Sequence, residues 1–169
     1  MPPGLTNGEV TSVSCDSRRV GSGTVFVGLP GAQVDGGVFW PQALKAGAVL
    51  AVIGRAAAEA CPPADLDPVL VVTEPVARWA GLLAAEFWQQ PSQRLCLIGV
   101  TGTDGKTTTS TFLSTALTAA GLRTGLISTA ISRVGGNQRA AAAHQTTPEA
   151  PALQRALREM VEAGDEAES

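Results

Sequence analysis

Apolar positions along the chain fall into two kinds of run. Short, wholly apolar stretches suit strands buried on both faces, and stretches with apolar residues three and four apart suit amphipathic helices. Residues 24–29 (TVFVGL) are rich in β-branched and aromatic side chains and predict a strand. Phe39, Trp40, Ala43 and Leu44 stand at helical spacing within 38–46, and Gly47 is a natural C-terminal stop. Residues 48–53 (AVLAVI) predict a fully buried strand, and 69–72 (VLVV) another. Thr73 and Pro75 then open a helix carrying Val76, Trp79, Ala80, Leu83 and Phe87 on one face.

The pattern breaks at 89–93 (QQPSQ), polar residues around a proline, which places a boundary between a first domain over 1–91 and a second over 92–169. Residues 95–100 predict a buried strand running straight into a glycine-containing turn. Residues 106–120 predict a helix with Phe112, Leu113, Ala116, Leu117 and Ala120 inward, ended by Gly121. A second strand follows at 124–128, and the Gly- and Ala-rich stretch 134–143 reads as a hairpin or loop. Thr147 is placed to cap a last helix, with Pro148 at its first position and Glu149 in its first turn. Leu153, Ala156, Leu157, Met160 and Val161 form that helix's apolar face, Gly164 stops it, and the acidic 165–169 (DEAES) reads as a frayed end. The fold class is α/β: a small N-terminal α/β domain, then the start of a doubly wound, mainly parallel sheet. Two strands are too few for such a sheet, which implies that the second domain is incomplete and the chain stops early.

Composition narrows the function. Hydrophobic residues make up 44% and charged residues 16%, so the chain can bury a core and is not disordered by composition. The formal net charge is -3 with no basic block, which argues against nucleic acid as a partner. Cys15, Cys61 and Cys96 are far apart and odd in number, which fits plain thiols in a reduced, cytoplasmic setting. The first ten residues lack the charged and apolar regions of a signal peptide, and no apolar run reaches the roughly 20 residues a membrane helix needs. A soluble protein is expected. Trp40, Trp79 and Trp88 fall at helical core or helix-end positions and read as packing residues.

The strongest chemical signal is Gly99-Val-Thr-Gly-Thr-Asp-Gly-Lys-Thr-Thr108, a loop between a predicted strand and a predicted helix. Glycine lets backbone approach phosphate oxygens closely, and the N–H groups and dipole of a helix N-terminus favour an anion. In that arrangement Lys106 meets the β- and γ-phosphates and the Thr107 hydroxyl completes a Mg²⁺ shell. The general pattern G-x-x-x-x-G-K-[ST] wants glycine where Val100 stands, so an ordinary βα turn with an exposed lysine is the bland alternative. Asp104 either needs a cation beside the phosphates or braces the loop by an Asx-type hydrogen bond.

Residues 99–109 (GVTGTDGKTTT) resemble the ATP loop of the Mur ligases, G-T-N-G-K-T-T, a family that shares the departure at Val100. Asp104 stands where Asn is usual. Asp16-Ser17-Arg18-Arg19-Val20, Gly23 through Leu29, Gly31 and Asp35-Gly36 resemble the first-domain signature D-S-R-x-V-x-x-G-x-L-F-V-A-L-x-G-x-x-x-D-G, and Ala46-Gly47-Ala48 resembles its closing G-A. Residues 146–154 resemble T-T-P-E-A-P-x-L-Q, which favours the branch that adds the third residue of the peptide stem (MurE).

The resemblance implies cytoplasmic cell-wall precursor synthesis. ATP activates the D-Glu side carboxylate of UDP-MurNAc-L-Ala-D-Glu, and the amine of meso-diaminopimelate or L-lysine attacks it. It assigns ATP to Gly102, Thr103, Asp104, Gly105, Lys106, Thr107 and Thr108, with Lys106 catalytic and Thr107 on Mg²⁺. It assigns the UDP-sugar to Cys15, Ser17, Ala32, Gln33 and Val34, and the rest of the UDP-MurNAc-dipeptide to Thr146 and Thr147, with Gln145 where some members have Asn. Ser17 as a plain turn residue and Thr147 as a plain helix cap are the competing readings. His144, a lone loop histidine, reads as a surface residue. The family's later Mg²⁺-binding glutamate, modified lysine, histidine and C-terminal domain find no counterpart, so the chain alone is expected not to turn over. Two other functions stay open: the sister ligase that adds D-Ala-D-Ala, and a non-catalytic nucleotide- or UDP-sugar-binding module.

Overall fold

The structure is a computed structural model that describes residues 9–73, 75–128, 131–135, 137–140, 148–165 and 167–168. The chain divides into two compact units, residues 1–87 and 88–169.

The first unit is built on a four-stranded parallel sheet in sequence order: β1 (Ser12–Ser14), β2 (Thr24–Val27), β3 (Ala48–Gly54) and β4 (Val69–Val72). Parallel neighbours need crossover connections. A 3-10 turn at Ser17–Arg19 lies between β1 and β2, α1 (Trp40–Lys45) between β2 and β3, and α2 (Arg55–Ala60) between β3 and β4. Every residue of β2 is buried, as expected for an inner parallel strand covered on both faces. One face forms a core of Phe26, Ala51 and Ile53 with Trp40 and Ala43 of α1 and Ala57 of α2. The indole of Trp40 also donates to the Cys61 carbonyl at 2.9 Å, which gives its one polar atom a partner. Val25, Val27 and Val52 alternate with these residues, and α3 (Val76–Phe87) packs on β1, β2 and β3 through buried Val76, Ala80 and Ala84. The predicted helix over 38–46 is shorter than expected, because a 3-10 turn at Gly36–Phe39 takes its first residues.

The second unit opens with a 3-10 turn (Pro91–Gln93) entered through left-handed Gln89 and Gln90. Its five-stranded sheet has the order β5-β9-β6-β7-β8. β5 (Cys96–Leu97), β9 (Ala167–Glu168) and β6 (Thr124–Ile127) run parallel, and β7 (Ile131–Val134) and β8 (Asn137–Ala140) add an antiparallel hairpin. Two helices accompany it, α4 (Lys106–Ala119) and α5 (Ala150–Ala163).

Four expectations are corrected here. The acidic end is not frayed: Ala167–Glu168 pair on both sides, between β5 and β6. The strand over 95–100 shrinks to Cys96–Leu97, and Leu97 is 46% exposed, because β5 is an edge strand with β9 as its neighbour. The buried face of α4 is not its apolar one. Ser110 and Ser114 are buried while Phe112 is 70% exposed. Thr118 donates to the Ser114 carbonyl at 2.8 Å, and Thr124 Oγ1 lies 2.8 Å from the Thr118 hydroxyl and 3.2 Å from that of Ser114. Hydroxyls can line a helix–strand contact when they satisfy one another. Finally, α5 starts at Ala150 with Glu149 at its N-cap position and Pro151 in its first turn, later than a Thr147 cap with Pro148 next would give. Its end is as expected: Gly164 is left-handed (φ 79°), and the Asp165 N–H bonds the Met160 carbonyl at 3.0 Å.

Gly28 shows how tightly the turn after β2 is packed. A Cβ there would lie 2.3 Å from Gly37 Cα, and one on Gly37 would lie 2.5 Å from the Ala57 Cβ. Gly28→Ala therefore forces backbone apart, and we expect it to destabilise the first unit by about 1–3 kcal/mol. Chemical denaturation followed by circular dichroism measures this; an unchanged midpoint contradicts the backbone contact.

Candidate functional site

Two surfaces gather the residues singled out by sequence, one in each unit. In the second unit, residues 98–105 leave β5 and turn into α4, and residues 101–105 are all exposed. Gly102 (φ 151°) and Gly105 (φ 78°) hold backbone conformations that L side chains avoid. A Cβ on Gly105 would meet nothing within 4 Å, so the demand for glycine there is conformational and the space beside it is open. Gly105 is the N-cap of α4 and provides no side-chain cap, and the helix starts with Thr109 N–H to the Gly105 carbonyl at 2.8 Å. An α-helix has no internal partner for its first N–H groups, and its dipole is positive at that end. An uncapped helix start beside an open glycine turn suits an oxyanion.

Lys106 folds back over this loop. Its ammonium donates to the Gly102 carbonyl at 2.5 Å and the Thr103 carbonyl at 3.1 Å. The positive charge thus stands over the turn and ties its start to the helix. Thr107 is half-buried and its carbonyl accepts from Ser110 Oγ at 3.2 Å, while Thr108 is exposed. The Asp104 side chain is exposed, and among the described residues it makes no hydrogen bond, so the Asx-type brace is not formed. Nor do three His, Cys, Asp or Glu side chains gather as a metal site among the described residues. Thr107 lies in the first turn of the helix.

In the first unit, parallel pairing of β1 and β2 carries Cys15 and Ser17 to the same sheet edge as the loop holding Ala32, Gln33 and Val34. This is the carboxyl edge, where open α/β sheets bind ligands. Ser17 is the first residue of the 3-10 turn and is half-buried, as is Cys15. Ala32, Gln33 and Val34 are exposed in a reverse turn closed by Gly31 N–H to the Val34 carbonyl at 3.2 Å and by a Pro30–Asp35 bridge. Asp35 accepts from the Gly37 N–H at 2.8 Å and fixes the return of the chain.

Sequence reasoning did not single out Asp16 and Arg18 as a working pair. The Asp16 carboxylate caps the 3-10 turn by accepting from the Arg18 N–H at 3.0 Å, and takes Arg18 Nε and Nη2 at 2.9 Å each. The Arg18 side-chain hydrogen bonds, then the backbone one, hold the Asp16 carboxyl below its ordinary range, and the pair raises Arg18. A two-residue spacing with a bidentate fork is a readable signal only once the turn is known. Gln145, Thr146 and Thr147, and also His144, lie outside the described residues.

Comparison with known proteins bears on both units. The profile described as Mur ligase family, catalytic domain, matches residues 9–88, and that of the Mur ligase middle domain matches residues 100–167. A UDP-N-acetylmuramoyl-L-alanyl-D-glutamate--2,6-diaminopimelate ligase of Prochlorococcus marinus (strain MIT 9313) is 55% identical over 166 residues, 98% of this chain and 32% of that protein. The same-named protein of Synechococcus sp. (strain WH7803) is 51% identical over 97% of this chain and 32% of its own length. The chain thus spans about a third of the curated relatives it matches. A solved structure under the same ligase name superposes with a TM-score of 0.69 at 24% identity, over 94% of this chain and 31% of that one, which speaks for the fold alone. MurF ligase from Thermotoga maritima in complex with ADP superposes with a TM-score of 0.51 at 28% identity, over 71% of this chain and 25% of that one.

The Asp16–Arg18 pair makes a pH prediction. A carboxyl whose folded pKa lies below its unfolded one stabilises the fold above the unfolded pKa, and that contribution is lost as pH falls through the folded pKa. Unfolding midpoints of the wild-type chain should therefore drop in the acid range by more than those of Asp16→Asn. Parallel curves for the two proteins would show that the pair contributes nothing.

Proposed function

Because this chain belongs to the Mur ligase family, we propose that it forms the UDP-sugar- and ATP-binding part of a cytoplasmic, ATP-dependent ligase of peptidoglycan precursor synthesis. The amide bond formed joins a diamino acid to UDP-MurNAc-L-Ala-D-Glu. The names of its relatives favour 2,6-diaminopimelate over L-lysine. The observation that carries the reading is the open glycine turn at the uncapped start of α4, with Lys106 poised above it.

In this scheme the D-Glu side carboxylate attacks the γ-phosphorus of ATP, and ADP leaves. The diamino acid's amine then attacks the acyl carbon, phosphate departs and the amine gives up a proton. The protein's part is positioning and charge neutralisation. Gly102, Thr103, Asp104, Gly105 and Thr108 cradle the nucleotide. Lys106 exchanges its two loop carbonyls for phosphate oxygens. Thr107 would hold Mg²⁺, which would supply neutralising charge. Cys15, Ser17, Ala32, Gln33 and Val34 form the nucleotide-sugar edge of a domain spanning 1–91. Gln145, Thr146 and Thr147 of the domain over 92–169 contact the dipeptide.

The second reading is the sister ligase that adds D-Ala-D-Ala, favoured by the likeness to the ADP complex of MurF. It ranks lower, because that likeness is weaker than 55% identity to a diaminopimelate ligase.

Calorimetric titration of the chain with Mg-ATP tests the nucleotide site. Wild-type chain should bind, and Lys106→Ala should lose at least about tenfold in affinity, the effect of removing one charge-assisted contact. Equal affinity of the two, or no binding by either, would remove the chemical basis of the reading.

A further inference from the structure

A second, separate site emerges at the other edge of the second unit's sheet. A cleft of about 530 Å³ is lined by Thr118, Arg123, Thr124, Arg133, Gly135 and Asp165, with Leu122 and Ala163 at its sides. β5, β9 and β6 run parallel, loop 98–105 follows the end of β5, and Arg123 and Thr124 stand at the start of β6. The cleft is therefore at the amino edge, opposite the loop that carries Lys106.

Two guanidinium groups share this opening, and each is held in place. The register Leu126↔Arg133 puts Arg133 on the sheet face that carries Thr124, and its Nη1 donates to Ser114 Oγ at 3.3 Å. Arg123 lies against the end of α5: a Cβ on left-handed Gly164 would be 2.6 Å from its Nη1. Asp165 is the one carboxylate among the described residues that line the cleft, and its Oδ2 is engaged by the Gly135 N–H at 2.9 Å. The described lining residues thus carry two positive charges and one negative. A guanidinium has five N–H donors, and the serine hydroxyl takes one of those on half-buried Arg133. Two like charges lining one opening favour an anion there.

We propose that this cleft is an oxyanion-binding site distinct from loop 98–105, taking the carboxylate or phosphoryl group of a small molecule between Arg123 and Arg133. Its floor includes Thr118, which lies on α4 along with Ser114, the partner of Arg133. An occupant therefore touches the helix whose other end presents Lys106.

Titration of the ¹⁵N-labelled chain with inorganic phosphate and, separately, with succinate at constant ionic strength tests this. The Gly135 and Thr124 amides should shift saturably with at least one of the two anions. Response to phosphate alone assigns a phosphoryl ligand, response to succinate alone a carboxylate, and response to both a general oxyanion site. Arg133→Gln should raise the half-saturation concentration at least about tenfold, Arg133→Lys less, and Lys106→Ala should leave it unchanged. Should Arg133→Gln not fold, Arg123→Gln, at an exposed position, serves the same purpose. The proposal is overturned if neither anion moves these amides in the wild-type chain, if the response survives the arginine substitutions, or if it disappears in Lys106→Ala.

Discussion

Parallel strand pairing is the constraint on which both units rest. A parallel neighbour can be reached only by crossing over the sheet, so among the parallel strands each connection returns on a face and each carboxyl end opens into a loop at one edge. In the first unit this gathers Cys15, Ser17 and the turn of Ala32, Gln33 and Val34, residues that are up to 19 positions apart in the chain. In the second it sets the glycine turn after β5 at the head of α4. The apolar runs that bury these strands on both faces have no chemistry of their own. They fix where the polar residues between them come out.

Glycine does different physical work at different points. At Gly28 and Gly37 it permits backbone to lie on backbone, which closes the turn behind β2. At Gly125 it makes room for the Met160 side chain, whose sulfur would be 2.4 Å from a Cβ there. At Gly102 and Gly105 space is ample, and it is the dihedral angles that exclude other residues. The first kind holds the scaffold together; the last shapes a surface toward solvent.

Much of this was legible in the sequence, for a physical reason. The strand at 69–72, the stop at Gly164 and the helix that begins at Lys106 are set by local composition and by residues with unusual backbone freedom. Long-range pairing was not legible. Nothing in DEAES announces that Ala167–Glu168 slot between β5 and β6, because two residues carry no periodicity. The inward face of α4 was misassigned for a related reason. Apolar residues were given the inside, whereas Ser114, Thr118 and Thr124 satisfy one another there and leave Phe112 outside. The Asp16–Arg18 pair and the Arg123–Arg133 cleft depend on a turn geometry and a strand register that spacing alone does not reveal.

The hydroxyl seam between α4 and β6 has a mechanical meaning. The seam ends on the Ser114 carbonyl, which can only accept, so its hydroxyls are set in one direction: Ser114 to Thr124, Thr124 to Thr118, and Thr118 to that carbonyl. Interlocked methyl groups hold a helix by volume and resist any slip. A seam of hydroxyls holds by direction. The helix that presents Lys106 is thus held on β6 by aligned hydrogen bonds, while α1 is wedged in place by the bulk of Trp40.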